Sequence, residues 1–464
     1  MWQPELLFSG GFFNAESVLL CDPRGQVAEP SEPHQVVIKR ELSGRALLPG
    51  LVNAHSHAFQ RVIRGRTEYR TANEKDSFWT WREMMYSAAE RLTPEDIYDA
   101  SRMAFLEMAL TGITAVGEFH YLHHALDGKP YDDPNLLAAE VVRAARDVGL
   151  RIALLRVAYA RSGYEKDLNP QQRRFIETDP ETYLKNLHQL RADLRRDYGD
   201  ELAWVGIAPH SVRAVPLGYL KKVISDASTQ QLPVHMHVAE QPAEVSACIE
   251  EYGRSPVALL ATEGLLDERF TAVHAIHVTP KSVHMLAETN ATVCACPTTE
   301  RNLGDGIVPV DSYFAEGVRV SLGSDSHVQM DLLEDARELE YHLRLQKLER
   351  VVLGPSSDKP EAVTSALAAR LFECATANGA RSIKASSGAL ETGQAADFFT
   401  VDLDDPSIAG TSQDELLSAI VFSSSRTAVK DVVVGGKRII EAGRHSQQDE
   451  IVEKFKQLQK KLWG

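Results

Sequence analysis

The stretch 51–60 reads LVNAHSHAFQ, a short and mostly apolar run that ends in His55-Ser56-His57. In an extended segment the side chains alternate with period two, so His55 and His57 stand on one side and can chelate a single ion. An HxH pair alone is weak evidence for metal. The reading is decided by its recurrence: His237 closes the run PVHMH, His274 closes FTAVH, and Asp325 follows VRVSLGS. Ligands delivered from the downstream ends of several apolar runs are what a parallel barrel provides at its C-terminal face.

Eight such runs occur between residues 46 and 386: ALLPGLVNA, GITAVGEF, RIALLRVAYA, LAWVGIAP, LPVHMHVA, FTAVHAI, ATVCACP and VRVSLGS. Amphipathic segments separate them. TPEDIYDASRMAFLEMALTG (93–112) has a Thr cap, Pro at the first helical position and Gly112 at its end, and DPNLLAAEVVRAARDVG (133–149) repeats the arrangement. The alternation predicts an α/β fold, a (β/α)8 barrel over 46–386, and the near-continuous hydrophobicity of the strands fits burial on both faces. Residues 1–45 and 387–444 hold strand-like runs without helices between them (EPHQVVIKREL, ADFFTVDL, DVVVGGKRIIEAG). They are expected to form one small, β-sandwich-like accessory domain from both chain ends, because isolated strand pairs are marginal. A helix over about 446–462, within 445–464, closes the chain.

At 464 residues the chain suits a barrel plus an accessory domain. Its formal charge of -15 argues against a nucleic-acid partner. Lys454, Lys456, Lys460 and Lys461 read as the solvated face of the last helix. No segment has the ~18 consecutive apolar residues of a membrane span, and MWQPELLFSGGFF is not built as a signal peptide, so a soluble cytoplasmic protein without membrane partners is expected. Five scattered cysteines (Cys21, Cys248, Cys294, Cys296, Cys374) suit free thiols, Cys294 and Cys296 buried in packing. A Cys-ligated zinc deaminase would need a Pro-Cys-x-x-Cys run, which the sequence lacks.

The residues themselves suggest a chemistry. His235 and His237 share a face, but only His237 lies near the strand mouth, so His235 is read as barrel interior. Three imidazoles and one carboxylate, from among His55, His57, His237, His274 and Asp325, are a set suited to a divalent ion, Zn²⁺ above all, with a position for water. Such an ion pulls the pKa of its water toward neutrality, Asp325 can take the proton, and the resulting hydroxide attacks an electrophilic carbon. If that carbon belongs to an amidine or imine, the departing nitrogen needs a proton, a role suited to Glu240, while His274 can polarise the tetrahedral centre. A helix-start carboxylate is the plainer reading of Glu240. Arg82 in SFWTWREMMY and Arg213 in PHSVRAV are planar forks matched to carboxylates and suggest a dicarboxylate substrate, the alternative being ordinary ion pairs. Glu118 and His120 face the mouth; His123, His124 and His327 read as loop residues, and Trp79 and Trp81 either wall the pocket or pack a helix start.

The pattern of HxH after the first strand, His on the fifth, His on the sixth and Asp after the eighth, with a split β domain, resembles the amidohydrolase superfamily over nearly the whole chain. Its two-metal members carry a Lys on the fourth strand, and LAWVGIAPHS has none, so the resemblance implies one metal ion. The spacing of His237 and Glu240 as HxxE resembles the deaminase branch, implying a proton shuttle at Glu240 and an ion held by His55, His57, His237 and Asp325. NAHSHAFQR, NEKDSFWTWREMMY, GITAVGEFHYLHH, PHSVRAV, PVHMHVAEQ, VHAIH, NLGDG and GSDSH narrow it to the deiminases of N-formimidoyl amino acids. That resemblance implies hydrolysis of N-formimidoyl-L-glutamate to N-formyl-L-glutamate and ammonia, in histidine degradation. Gln60, Arg82, Tyr121, His210 and Arg213 would contact the substrate. Two rivals remain: a deaminase of another substrate, such as an aromatic base or a formimidoyl-aspartate analogue, and a non-catalytic barrel scaffold. A homodimer is the expectation for assembly.

Overall fold

The structure, a computed structural model, describes residues 1–29, 38–70, 77–355 and 365–464. Residues 32–37 of the run EPHQVVIKREL and 73–76 of NEKDSFWTWREMMY lie outside these. Eight parallel strands follow one another around a barrel: β1 (Leu51–Ser56), β2 (Ile113–His120), β3 (Arg151–Ala158), β4 (Ala203–Pro209), β5 (Val234–Val238), β6 (Phe270–His274), β7 (Thr292–Ala295) and β8 (Arg319–Leu322). Nearly every residue of these strands is buried, since one face fills the barrel and the other packs under helices. The ring closes between β8 and β1 through Asp325, whose N–H donates to the His55 carbonyl (3.0 Å) and whose carbonyl accepts from the His57 N–H (3.1 Å). Closure thus falls on three residues expected to hold metal, His55, His57 and Asp325.

The run ALLPGLVNA divides at Gly50. Its first half ends a strand of the accessory sheet (Arg40–Pro49) and its second half is β1, so the accessory strand extends past residue 45. A Cβ at Gly50 would lie 2.3 Å from Thr114 Oγ1, so the crossing from sheet to barrel needs a residue without one. That sheet has seven strands in the order Arg444–His445, Lys437–Glu441, Val429–Val434, Phe398–Asp402, Arg40–Pro49, Trp2–Ser9 and Phe12–Ala15, beside a short Leu20–Cys21/Val27–Ala28 pair. Both faces of its central strands are buried. Leu47, Phe398 and Val433 point into a separate small core with Trp2, Leu19 and Val27, whereas their neighbours Leu48, Phe399 and Val432 join the barrel core.

The helices begin where the residues can cap them. Helix α1 (Phe78–Ala89) starts at Ser77, and α2 (Pro94–Ala109) starts at Thr93 with Asp96 completing a capping box. Helix α3 (Leu136–Val148) departs from the expected start at Asp133-Pro134: Asn135 precedes it and turns inward, accepting from Arg156 Nε (3.1 Å) and donating to the Asn186 carbonyl (2.8 Å). The final helix, Gln448–Trp463, exposes Lys454, Lys456, Lys460 and Lys461 and packs Phe455, Leu458 and Leu462 inward. Among the described residues no helix is long and apolar enough to cross a membrane.

Candidate active site

At the C-terminal mouth of the barrel, one ligand atom from each of His55, His57, His237 and Asp325 lies within 4.8 Å of the others, all buried. Asp325 Oδ1 is 3.2 Å from His57 Nε2 and 3.5 Å from His55 Nε2. The outer nitrogens are tied down, which orients the rings: His57 Nδ1 bonds the Phe119 carbonyl (2.8 Å) and His237 Nδ1 the His210 carbonyl (3.0 Å). Neither ring nitrogen of His55 has a hydrogen-bond partner, although the side chain is wholly buried. Burial pushes the His55 ring down to about 3 and holds His237 well below its ordinary range. Burial opposes ionisation of Asp325, but the close His55 and His57 rings outweigh it and keep the carboxyl well below the usual range. Neutral imidazoles, a carboxylate and orphaned nitrogens fit a divalent cation, because ligands must present free lone pairs. A second grouping, His274, Cys296 and Glu300, does not fit one: burial pushes the Cys296 thiol up, and Glu300 serves as a hydrogen-bond partner.

His274 Nε2 points at the same centre, 3.8 Å from Glu240 Oε1 and 3.7 Å from Asp325 Oδ2, and is unpartnered. Its other nitrogen meets Glu300 Oε1 at 3.2 Å. Burial disfavours charge on this ring, yet Glu240, Glu300 and Asp325 outweigh burial and raise it well above its ordinary pKa. Burial also raises Glu240 to about 7, aided by Asp325 and Glu244 against His274 and Arg213. The loop carrying Glu240 is clasped by Glu244, whose carboxylate accepts from the N–H groups of Ala239 (3.2 Å) and Glu240 (3.3 Å).

In front of this centre lies a pocket of about 710 Å³, part of it open to solvent. Gln60, Arg82, Tyr121, His210 and Arg213 all line it. Gln60 Nε2 donates to Tyr121 Oη (2.9 Å), and His210 Nδ1 meets Ser211 Oγ (3.2 Å). Arg82 stacks on Trp79, 4.3 Å from the ring centroid, and its Nε and Nη1 are buried without partners. Arg213 Nη1 donates to the Ser162 carbonyl (3.3 Å) and Tyr159 Oη (3.5 Å). Trp79 and Trp81 both line the pocket.

Other histidines sort by geometry. His235 is barrel interior and bonds the Ser382 carbonyl (2.9 Å). His123 and His124 bond the carbonyls of Val157 and Ile176, each at 2.9 Å, away from the pocket. His327 lies in a loop as expected but is fully buried there, and its Nε2 is 2.9 Å from Ser56 Oγ, which is 2.5 Å from Glu118 Oε2. Glu118, raised by burial to about 8, also accepts from the Ala58 N–H (2.7 Å), so with Ser56 and His327 it braces the strand end behind the ligands. Sequence reading missed Glu244, Glu300, Tyr159 and Gln172. Glu300 sits in CPTTERNL just past β7, the one signal that could have marked it.

The chain matches the amidohydrolase family over residues 46–439, and it belongs to that family. Among its relatives, the formimidoylglutamate deiminase of Pseudomonas aeruginosa is 40% identical over 419 residues, 90% of each chain. The 5-methylthioadenosine/S-adenosylhomocysteine deaminase of Pyrococcus horikoshii is 28% identical over 89% of this chain and 88% of its own. Among solved structures, an amidohydrolase from Brucella melitensis superposes with a TM-score of 0.89 at 32% identity, covering 99% of both chains. A zinc-bound adenosine deaminase from Xanthomonas campestris shares the fold, with a TM-score of 0.81 at 22% identity, covering 99% of this chain and 98% of its own. The protein is therefore a hydrolase of the deaminase type acting on C–N bonds, and its family is metal-dependent.

Proposed function

We propose that this enzyme hydrolyses N-formimidoyl-L-glutamate to N-formyl-L-glutamate and ammonia, a step of histidine degradation. The observation that carries the reading is the pair of guanidinium groups, Arg82 and Arg213, on the wall of one pocket whose floor is the His/Asp cluster. Arg82 lines that pocket and carries two buried nitrogens, Nε and Nη1, without partners. Unpaired buried guanidinium nitrogens are costly, and a planar carboxylate satisfies them bidentately. Identity of 40% to a formimidoylglutamate deiminase supports the same substrate.

His55, His57, His237 and Asp325 would hold one zinc ion, three nitrogens and an oxygen being a donor set that zinc favours. Bound there, the ion supplies Lewis-acid polarisation and a water acidic enough to lose its proton near neutral pH. The chain does the rest. Arg82 and Arg213 hold the two carboxylates, with Gln60, Tyr121 and His210 lining the path to the formimidoyl group. Glu240, raised by burial to about 7, can carry a proton at neutral pH and hand it to the departing nitrogen. His274, held by Glu300, offers Nε2–H to the oxygen that develops charge. A cytoplasmic location and a symmetric homodimer, with no nucleic-acid or membrane partner, belong to the same proposal.

The test is ammonia release from N-formimidoyl-L-glutamate by zinc-loaded protein. Replacing Arg82 and Arg213 by Met should raise KM for this dicarboxylate by roughly 100-fold or more, two charge-assisted contacts being lost. An aromatic-base deaminase would be indifferent to both changes. Ammonia release no greater than that of a Glu240→Gln control removes the assignment.

A further inference from the structure

Behind the pocket wall runs a hydrogen-bond chain that points in one direction. The Asn169 N–H can only donate, and it donates to Ser162 Oγ (2.8 Å). The Ser162 hydroxyl then donates to Gln172 Oε1 (2.6 Å), which fixes the orientation of the Gln172 amide. Its Nε2 donates to Tyr86 Oη (2.6 Å) and to Tyr159 Oη (2.9 Å). Gln172 is buried and lies outside the pocket lining, whereas both tyrosines line the pocket beside Arg82 and Arg213. Tyr86 sits one helical turn from Arg82 on α1, with its ring 5.4 Å from the guanidinium, and Tyr159 Oη accepts from Arg213.

We infer that Gln172 is a positioning residue for substrate: by occupying the oxygen of each tyrosine hydroxyl with a donated hydrogen bond, it turns the hydrogens of Tyr86 and Tyr159 toward the pocket. Two O–H donors then stand between two guanidinium forks, completing a cradle for a carboxylate group. The inference rests on the dicarboxylate reading of the site and adds to it the groups that discriminate. A hydroxyl oxygen has two lone pairs and one hydrogen; with Gln172 on one lone pair, the hydrogen has no reason to turn back. Burial raises Tyr86 above its ordinary pKa, so its hydroxyl keeps that hydrogen at neutral pH.

Three variants and two analogues test this. Tyr86→Phe and Tyr159→Phe each remove one oxygen and keep the ring. Gln172→Glu is nearly isosteric but accepts where glutamine donates, and so draws both hydroxyl hydrogens away from the pocket. Each variant should raise KM for N-formimidoyl-L-glutamate by roughly 10- to 100-fold, the worth of a hydrogen bond to a charged group, with kcat reduced by less than about threefold. N-formimidoyl-4-aminobutyrate lacks the α-carboxylate, and N-formimidoyl-L-2-aminobutyrate lacks the distal one. The same variants should raise KM for one of these analogues by the same factor and leave the other unchanged, which also identifies the carboxylate held. Unchanged KM in all three variants, or equal losses on both analogues, overturns the inference. A folded, zinc-loaded parent that releases no ammonia from N-formimidoyl-L-glutamate instead overturns the substrate reading, and the cradle falls with it.

Discussion

Glu240 and its neighbours show how much of the chemistry rests on single atoms. Its carboxyl shares the space in front of His274 and Asp325, and burial leaves it able to hold a proton near neutrality. Glu240→Gln preserves size and hydrogen bonding but cannot pass a proton on. It should lower kcat by roughly 10²- to 10⁴-fold, the usual worth of a general acid, while the zinc content of the purified protein stays that of the parent. A variant that loses its metal would instead make Glu240 part of the ion's support. Around this residue the backbone is strained: Ala239 (φ 53°), His274 (φ 67°), Ala275 (φ 49°), Asp325 (φ 46°) and His327 (φ 60°) all adopt left-handed conformations without being glycine. Their stabilising contacts are local and specific, such as the Glu244 carboxylate on the Ala239 N–H. None of this is legible in the motif PVHMHVAEQ, which announces the ligand His237 and the carboxylate at 240 but not the turn that presents them.

Among the elements, the loop from β3 to the helix Pro180–Asp197 is pinned by one buried ion pair. Glu177 accepts from Arg156 Nη1 (2.5 Å) and Nη2 (3.1 Å), and from Asn186 Nδ2 (2.8 Å) on that helix. Burial works against its ionisation, but the neighbouring His123 and Arg156 and these hydrogen bonds outweigh burial and lower the carboxyl to about 2. An unfolded glutamate titrates near 4.3. A depressed folded value means the stabilisation, about 3 kcal/mol, is present above the unfolded pKa and is lost as pH falls through the folded one. Glu177→Gln should therefore destabilise the protein by about 3 kcal/mol at pH 7 in urea titrations. The gap from the parent should close between about pH 4.5 and 2; a constant gap would show that packing, not charge, is responsible. The barrel strands themselves were readable from their unbroken apolar runs. The α3 start was not, because Asn135 is drawn inward by Arg156 on β3, a partner 21 residues away.

Across the full chain, the joint between barrel and accessory sheet is the decisive feature. Arg151, the first residue of β3, meets Asp397 through Nε (2.7 Å) and Nη2 (3.1 Å), both residues buried, and Asp397 Oδ1 also accepts from the Gly435 N–H (2.7 Å). This joint is at the strand start, the end of the barrel away from the ligands. Asp397→Ala leaves a buried guanidinium uncompensated and should cost roughly 3–5 kcal/mol in unfolding free energy. Because the mouth is remote, kcat/KM for the parent's substrate should stay within about twofold at 25 °C, a combination that urea unfolding and steady-state kinetics check together.

The amino-acid order alone was enough to specify the eight strands, their succession around the barrel and the residue types at their ends, because burial on both faces and the period of an extended chain are local properties. It also brought forward His55, His57, His237, His274, Asp325 and Glu240. Folding in three dimensions was needed to divide one apolar run between two sheets at Gly50 and to bring Glu244 and Glu300 up as braces for the loops. It was needed, too, for a glutamine with no place in the pocket to aim two tyrosines into it. Those outcomes depend on partners from other strands, helices and loops. A hydrogen bond between residues distant along the chain leaves no periodic trace in either segment.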